Sequence, residues 1–285
     1  MKARIVEFQN LVWEHYHATG RHDLPWRPPA LKVRANGTID PYRVLVSEVM
    51  LQQTQAGRVI QKYVEFLKRF PTLPALAAAS PRDVLAAWQG LGYNRRALAL
   101  HRAAREIIAR HKRRVPRVYE DLVALPGIGA YTAGAVLAFA FQEPVVFIET
   151  NIRRAHLDFF FSDKENVRDR DILPLVAQTM DAKNPREWYY ALMDYGAALG
   201  KTSVNANRRS AHYAKQSAFE GSDRQVRARI VRTLLTRPRS EVSLARELGE
   251  TPKRITRAIE SLLKDGMVTR RGRVCSIAEG GTLPV

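Results

Sequence analysis

The sequence predicts an all-α protein that ends in a small module of three helices and a hairpin. Two observations predict the body, and a third predicts the module. Apolar residues recur at helical spacing through residues 1–216, in runs broken by proline and glycine signals such as "RFPTLPALAAASP", "VPRVYEDLVALPGIG" and "NPREWYY". No alternating apolar and polar pattern is sustained there, so an all-α body is the expectation. At "QSAFEGSDRQ" the pattern changes, and Gly221 with Ser222 marks a joint between a body of residues 1–216 and a module of residues 217–285.

The first twenty residues, "MKARIVEFQNLVWEHYHATG", carry acidic and polar residues through their apolar pattern and lack a small-residue cleavage site. They read as an amphipathic helix and not as a signal peptide. In "VLVSEVMLQQTQ", residues 44–55, Val44, Leu45, Val46, Val49, Met50 and Leu51 leave almost no polar face before the glutamines. Glu48 therefore lies in a helix that is apolar nearly all round, where burial raises a carboxylate pKa toward that of a usable general acid. The competing reading is a glutamate that pairs with an arginine or caps a neighbouring helix. In "LPGIGAYTAGAVLAFAF", residues 125–141, Gly127 and Gly129 end one helix and open the next, exposing N–H groups where a phosphate can sit. An ordinary tight helical turn has the same pattern. The run "EPVVFIETNIRRA", residues 143–155, reads as a half-buried strand or extended segment capped by Thr150 and Asn151, and it delivers Glu149 beside two arginines.

In the module, "DRQVRARIVRTLLTR" places Val226, Ile230, Val231, Leu234 and Leu235 on one stripe, and "SLARELGE" stops at Gly249. "TPKRITRAIESLLKDG" starts with Thr251 as cap and Pro252 in the first turn, and "MVTRRGRVCSI" gives two short strands around Arg271 and Gly272. This resembles a winged helix-turn-helix whose third helix presents Lys253, Arg254 and Arg257.

The formal charge of +18 over 285 residues attracts polyanions, nucleic acid first. A basic ribosome-associated or membrane-surface protein is the rival class. Both parts are basic, with 14 basic against 7 acidic residues over 221–285 and 32 against 21 elsewhere. Apolar runs fall short of a membrane span, so no membrane partner is expected. The single cysteine, Cys275, allows no internal disulfide and no thiolate-ligated zinc or iron–sulfur site, and the scattered histidines suggest no other metal.

Taken together, "DLPWR", "SEVMLQQTQ", "GLGYNRRA", "LPGIGAYTAGA" and "ALMDYGA" are similar in order and spacing to the helix-hairpin-helix (HhH-GPD) DNA glycosylases, and most resemble the MutY-type adenine DNA glycosylases. The resemblance covers residues 1 to about 200 and implies a two-subdomain fold. A helical barrel would span about 30–140, and the second subdomain would combine the N-terminus with 145–216. It implies duplex DNA with a mispaired or damaged base as partner, the target base being flipped out. Glu48 matches the glutamate that protonates the departing purine. Gln52 and Gln53 match residues that fill the gap in the duplex, Tyr93 the aromatic wedge, and Gly127 with Gly129 the phosphate-binding hairpin. Arg21, His22, Trp26 and Tyr190 fall in the base pocket, although Tyr190 stands where the family tends to have Gln or Glu. Tyr131 replaces the lysine of the endonuclease III type, so no Schiff base and no AP-lyase activity are expected.

Three departures qualify the resemblance. Glu149 stands, with Asn151 retained two residues on, where the family has the aspartate that stabilises or attacks the sugar cation. The alternative for Glu149 is an ion pair with Arg153 or Arg154. The four cluster-ligand positions are Gly200, Asn207, Ser210 and Gln216, so no [4Fe–4S] cluster and no other cofactor is expected. Arg208, Arg209 and Lys215 of that segment keep a DNA-contacting role. The winged helix takes the place of a β-rich Nudix-like domain, and it is expected to add affinity more than base choice. The function implied is a monofunctional base-excision glycosylase, with adenine opposite 8-oxoguanine or guanine as favoured target. A glycosylase for deaminated or oxidised pyrimidines or mismatched thymine or uracil is the enzymatic alternative, and a non-catalytic DNA-binding protein the alternative from another class. A monomer is expected, cytoplasmic and, in a prokaryote, associated with the nucleoid.

Overall fold

The computed structural model describes residues 1–202, 205–214 and 218–279. Lys215 and Gln216 lie outside them. The fold is helical apart from one small sheet, and contacts divide the chain into two compact units. One combines Met1–Glu48, Pro116–Ala124 and Ile128–Lys215; the other combines Val49–Val115, Leu125–Gly127 and Gln216–Val285.

The first unit is built on helices Lys2–Thr19, Ala130–Phe141, Thr150–Phe160, Asp169–Thr179 and Pro185–Thr202. Phe8 is fully buried among the rings of His156, Phe159, Phe160, Trp188 and Tyr195, which locks the first helix to the last. His156 is equally buried, with Nδ1 and Nε2 on Ile152 O and Thr179 Oγ1, and burial pushes its pKa down to about 4. It is a neutral core residue. Helix Ala130–Phe141 is almost wholly apolar and ends at Gln142 in the left-handed region. Buried Arg186 satisfies its last carbonyls, donating from Nε to Phe139 O, and reaches Gly37 O with Nη2.

In the second unit, helices Ala56–Arg69, Leu73–Ala78, Pro81–Ala87 and Arg95–Arg110 enclose Tyr63, Phe66, Leu76, Val84, Trp88 and Ile107. Thr72 and Ser80 cap the two short helices, each followed by proline in the first turn. The C-terminal module belongs to this unit. Its helices Asp223–Thr236, Glu241–Leu248 and Pro252–Lys264 bury Val226, Ile230, Val231, Leu234, Leu244, Ile255, Ile259 and Leu262. Strands β1 (Arg239–Ser240), β2 (Val268–Arg271) and β3 (Val274–Ile277) form an antiparallel sheet in the order β1-β3-β2. This is the winged helix of the sequence reading with β1 added, a strand of two residues that carries no periodic signal. The module is tied to neighbouring helices by Arg82 donating to Leu235 O, Arg102 Nη2 to Asp265 O at 3.1 Å, and an Arg95–Asp265 ion pair at 3.0 Å.

The segment before Thr150 needs a correction. Residues 143–149 follow the left-handed Gln142 as neither helix nor strand, and the N-cap of helix Thr150–Phe160 is Glu149 itself, not Thr150 or Asn151. Among the described residues the run has no neighbouring strand to pair with. Phe147 instead drops into the core, stacked on Tyr189 at 4.1 Å, while the Tyr189 hydroxyl donates to Val145 O at 2.7 Å. Gly134 makes room, since a Cβ there would stand 2.8 Å from the Phe147 Cβ.

Candidate active site

Helix Pro41–Leu51 carries Glu48 into an apolar interior, and the residue is almost completely buried. The Tyr131 hydroxyl, from the first turn of helix Ala130–Phe141, donates to Glu48 Oε2 at 2.5 Å. Burial is the largest influence on the Glu48 carboxyl and raises its pKa to about 7. The Tyr131 hydrogen bond and Arg27 oppose the rise, and the negative charge of Glu149 adds to it. Glu48 has no ion-pair partner among the described residues. A carboxyl poised near neutrality can give up a proton to a ring nitrogen.

Glu149 owes its orientation to the helix it caps. Its Oε1 accepts from the N–H of Asn151 at 2.7 Å and of Ile152 at 2.9 Å, and its Oε2 from Asn151 Nδ2 at 3.3 Å. Burial raises its pKa, against the pull of those two N–H groups, Arg153 and Arg154. Neither arginine forms an ion pair with it among the described residues. Arg153 is bidentate to Asp169 at 2.7 Å per bond, and Arg154 Nη1 donates to Asn151 Oδ1 at 3.0 Å and Gly196 O at 2.7 Å. Helix Pro185–Thr202 passes so close that a Cβ on Gly196 would lie 2.1 Å from Asn151 O. A carboxylate so fixed can stabilise a cation forming beside it.

Tyr190 is buried, stacked on Phe139 at 4.6 Å with the Arg27 guanidinium 4.3 Å from its ring centre. Burial pushes the Tyr190 hydroxyl well above its ordinary range. Arg27 is also buried and meets Asp194 at 2.8 and 2.9 Å. Arg21 donates to the same carboxylate through its backbone N and side chain, and Asp194 stays ionised below its ordinary range in spite of burial, held by Arg27 and Arg21. Of the predicted pocket residues, Arg21 is thus engaged by Asp194. His22 rests on Tyr16, its Nε2 3.2 Å from Tyr16 O, and Trp26 is buried.

The second unit holds the predicted duplex-probing residues. Gln52 and Gln53 end helix Pro41–Leu51, and both Gln53 (φ 52°) and Tyr93 (φ 48°) occupy the left-handed region that side chains rarely adopt. The sequence reading missed what holds them there. Arg96 Nη1 donates to Val49 O at 2.9 Å, Met50 O at 3.0 Å and also Gln52 O, while Nη2 reaches Thr54 Oγ1 at 2.9 Å and Gly92 O at 3.3 Å. One guanidinium thus ties the two loops. "GLGYNRRA" offers two adjacent arginines with nothing in the sequence to separate their roles. Gly127 has φ +76° and faces Ala99, whose Cβ would lie 2.6 Å from an added Cβ, whereas Gly129 caps helix Ala130–Phe141 with open space beside it.

Arg208, Lys253 and Arg257 are exposed. Arg209 donates to Ser162 O and Leu157 O, and Arg254 to Glu250 and Asp223, so both are held internally. The three described cluster positions do not suit the metal group. Gly200 lies against Arg154, whose Nη1 would be 2.6 Å from an added Cβ; Asn207 Nδ2 donates to Thr150 O at 3.1 Å; Ser210 Oγ accepts from His212 N at 3.1 Å. None offers a thiolate.

A family model described as HhH-GPD superfamily base excision DNA repair protein matches residues 46–172. The chain is 37% identical over 300 residues to an adenine DNA glycosylase of Mycobacterium tuberculosis, across 95% of this chain and 93% of that one. It is 36% identical over 282 residues to an adenine DNA glycosylase of Mycolicibacterium smegmatis, across 92% and 94%. Among solved structures, a thermostable thymine-DNA glycosylase superposes with TM-score 0.58 at 25% identity over 69% of this chain and 87% of that one. Endonuclease III in a non-covalent DNA complex gives 0.55 at 17% identity over 68% and 85%, a likeness of fold alone. With the Tyr131 hydroxyl on Glu48 and these relatives at 36–37% identity, the chain belongs to the adenine DNA glycosylases of the HhH-GPD superfamily of base excision DNA repair proteins.

Proposed function

We propose that this protein is a monofunctional glycosylase that removes adenine from duplex DNA where it is mispaired with 8-oxoguanine or guanine. The observation that carries the reading is the enclosed Glu48, with a pKa raised to about 7 and Tyr131 on its Oε2. Protonated Glu48 donates to the flipped adenine, the N-glycosidic bond breaks with its electrons passing to the base, and Glu149 stabilises the sugar cation until water adds. Tyr131 offers no amine, so the sugar forms no Schiff base and the strand is left intact. A duplex-binding protein without chemistry gains nothing from a buried carboxyl near neutrality, which costs folding energy.

The reaction is proposed to need no cluster, because Gly200, Asn207 and Ser210 supply no ligand and Gln216, outside the described residues, is no thiolate either. The test is single-turnover excision on end-labelled duplexes carrying adenine opposite 8-oxoguanine, guanine or cytosine, then uracil, mismatched thymine and oxidised pyrimidines. Breaks at adenine that appear only after alkali, and that Glu48→Gln abolishes, support the reading. Cleavage confined to a pyrimidine, or breaks without alkali, rejects it.

A further inference from the structure

The second unit carries a basic surface that the chemistry above does not use, at the end of helix Arg95–Arg110. A pocket of about 270 Å³ opens there, lined by the apolar residues Pro74, Ala77, Ala78 and Ile108 and by Arg105 and Arg113. No carboxylate lines it. Buried His101 hydrogen-bonds to the backbone of Ala79 and Ala77, which fixes the chain that forms the floor.

The turn that follows the helix presents cations. The N–H of Arg114 donates to His111 O at 3.0 Å, and the two residues inside that turn, Lys112 and Arg113, have φ of 50° and 62°. Both are left-handed, as in a type I′ turn, where asparagine and glycine are the usual occupants. Longer side chains are strained in this conformation, and such strain gathers at binding sites. Lys112, Arg113 and Arg114 are exposed, as is Arg105, and none of the four forms an ion pair among the described residues. Glu106, the carboxylate next to Arg105 in sequence, is engaged by Arg110 at 2.8 Å.

Two observations separate this surface from the duplex-probing loops. Tyr93 precedes the first turn of helix Arg95–Arg110 and Gly127 faces Ala99 in its second, whereas the basic turn follows its last. The 16 residues of the helix, at 1.5 Å each, put roughly 24 Å between its two ends. Phosphates, moreover, are held by cations and N–H groups and gain nothing from an apolar floor. A pocket below the ~300 Å³ of a small-molecule site takes one side chain, not a nucleotide.

We infer that this surface docks an acidic peptide segment of a partner protein, with one apolar side chain seated against Ala77, Ala78 and Ile108 and its neighbouring carboxylates on Arg105 and Arg113. The unpaired cations select the acidic partner, and the apolar floor selects the anchor. The inference stands apart from the reaction the protein catalyses.

The test uses the full chain at physiological ionic strength and two fluorescein-labelled peptides of equal charge. Both are rich in aspartate and glutamate, one with a central leucine and one with serine in its place. Fluorescence anisotropy should give micromolar binding of the leucine peptide and binding at least about tenfold weaker of the serine peptide. Arg105→Ala/Arg113→Ala and Ala78→Glu alter exposed side chains, and each should weaken the leucine peptide by about tenfold or more. Neither should change the affinity for a mispaired duplex by more than about twofold.

Equal binding of the two peptides would leave a merely charged surface and overturn the inference. So would a leucine peptide that fails to bind in the micromolar range, or one whose binding either variant leaves unchanged. A double variant that binds duplex more weakly, with a slope of log K against log salt shallower by about two, would make these arginines phosphate contacts and equally overturn it. Adenine excision is followed beside each arm and should be unchanged in both variants. Protein that binds the leucine peptide as expected but excises nothing would sink the glycosylase reading and leave the docking surface standing.

Discussion

The Tyr131 hydroxyl donates to Glu48 Oε2 at 2.5 Å, and this bond favours the ionised carboxylate that burial and the neighbouring Glu149 disfavour. The balance sets the Glu48 pKa at about 7. Excision through protonated Glu48 should therefore be full below pH 7 and fall tenfold per unit above it, and the raised Glu149 should impose a second fall at acid pH as its carboxylate protonates. Tyr131→Phe removes the influence that lowers the Glu48 pKa, so the alkaline limb should move upward. A limb that moves downward or stays in place would show that the hydroxyl does not act on this proton. Glu48→Gln should lose about 100-fold or more in single-turnover rate at every pH.

The same shift has a consequence for stability. The folded Glu48 pKa lies above the unfolded value, so its favourable contribution is complete below the unfolded pKa near 4.5 and is lost as pH rises through about 7. Glu48→Gln keeps the shape without the charge. It should stabilise the fold at pH 8 by roughly 2–3 kcal/mol relative to its effect at pH 4, where the two proteins should differ little. Equal melting differences at both pH values would mean that the carboxyl is not held near neutrality.

Glu149 caps helix Thr150–Phe160 and is proposed to stabilise the sugar cation, two tasks that substitutions separate. Glu149→Gln keeps an oxygen for the N–H groups of Asn151 and Ile152 and loses the charge, so it should melt within about 1 kcal/mol of the wild type yet lose at least 100-fold in excision. Glu149→Asp keeps charge and capping chemistry with one methylene less reach, and should retain far more activity than the glutamine variant. Glu149→Gln with near wild-type excision would leave capping as the residue's only role.

Much of the first unit's site could be read from residues alone, because local patterns carried it. The apolar neighbours of Glu48, from Val44 to Leu51, announce burial, and burial announces a raised pKa. Glu149 was harder. Glutamate is a weaker N-cap signal than the Thr and Asn that follow it, so the reading placed the cap on Thr150 and Asn151, and only Phe147 seated on Tyr189 fixes where the helix starts. The bond from Arg224 to the Tyr93 hydroxyl was illegible for a different reason. It spans 131 residues of sequence, and no periodicity records a pairing of that range.

Arg96 belongs to the same class of long-range relations. Burial pushes its pKa down to about 10, so it remains charged at neutral pH while its guanidinium bridges the loops that hold Gln53 and Tyr93 in left-handed conformations. Arg96→Ala leaves several carbonyls without their donor and should cost about 2–4 kcal/mol. Arg96→Lys restores the charge but not the fork and should recover less than half of the loss. Denaturant melts check the cost. Unchanged stability in the alanine variant would show that the loops keep their shape without it.

We propose that Arg154, without a cluster, orders Gly200 and residues 205–211. Its guanidinium binds Asn151 Oδ1, Gly196 O and, through Nε at 3.3 Å, Asn205 Oδ1, while the segment's backbone pairs with Val167 through Val167 N to Arg209 O and Ala211 N to Val167 O, both 2.8 Å. Gly200 is the position against which that guanidinium lies. Arg154→Ala should therefore cost about 1–3 kcal/mol and slow excision through Asn151, and Gly200→Ala should cost part of the same energy by displacing the guanidinium. Because the two substitutions act on one contact, the double variant should lose less than the sum of the single losses. Protein grown in iron-depleted medium should match protein from rich medium in melting temperature and excision rate, and chelators should change neither. Additive losses in the cycle would mean that Gly200 and Arg154 act independently, and a chelator-sensitive melting temperature would mean that a metal, and not this guanidinium, orders the segment.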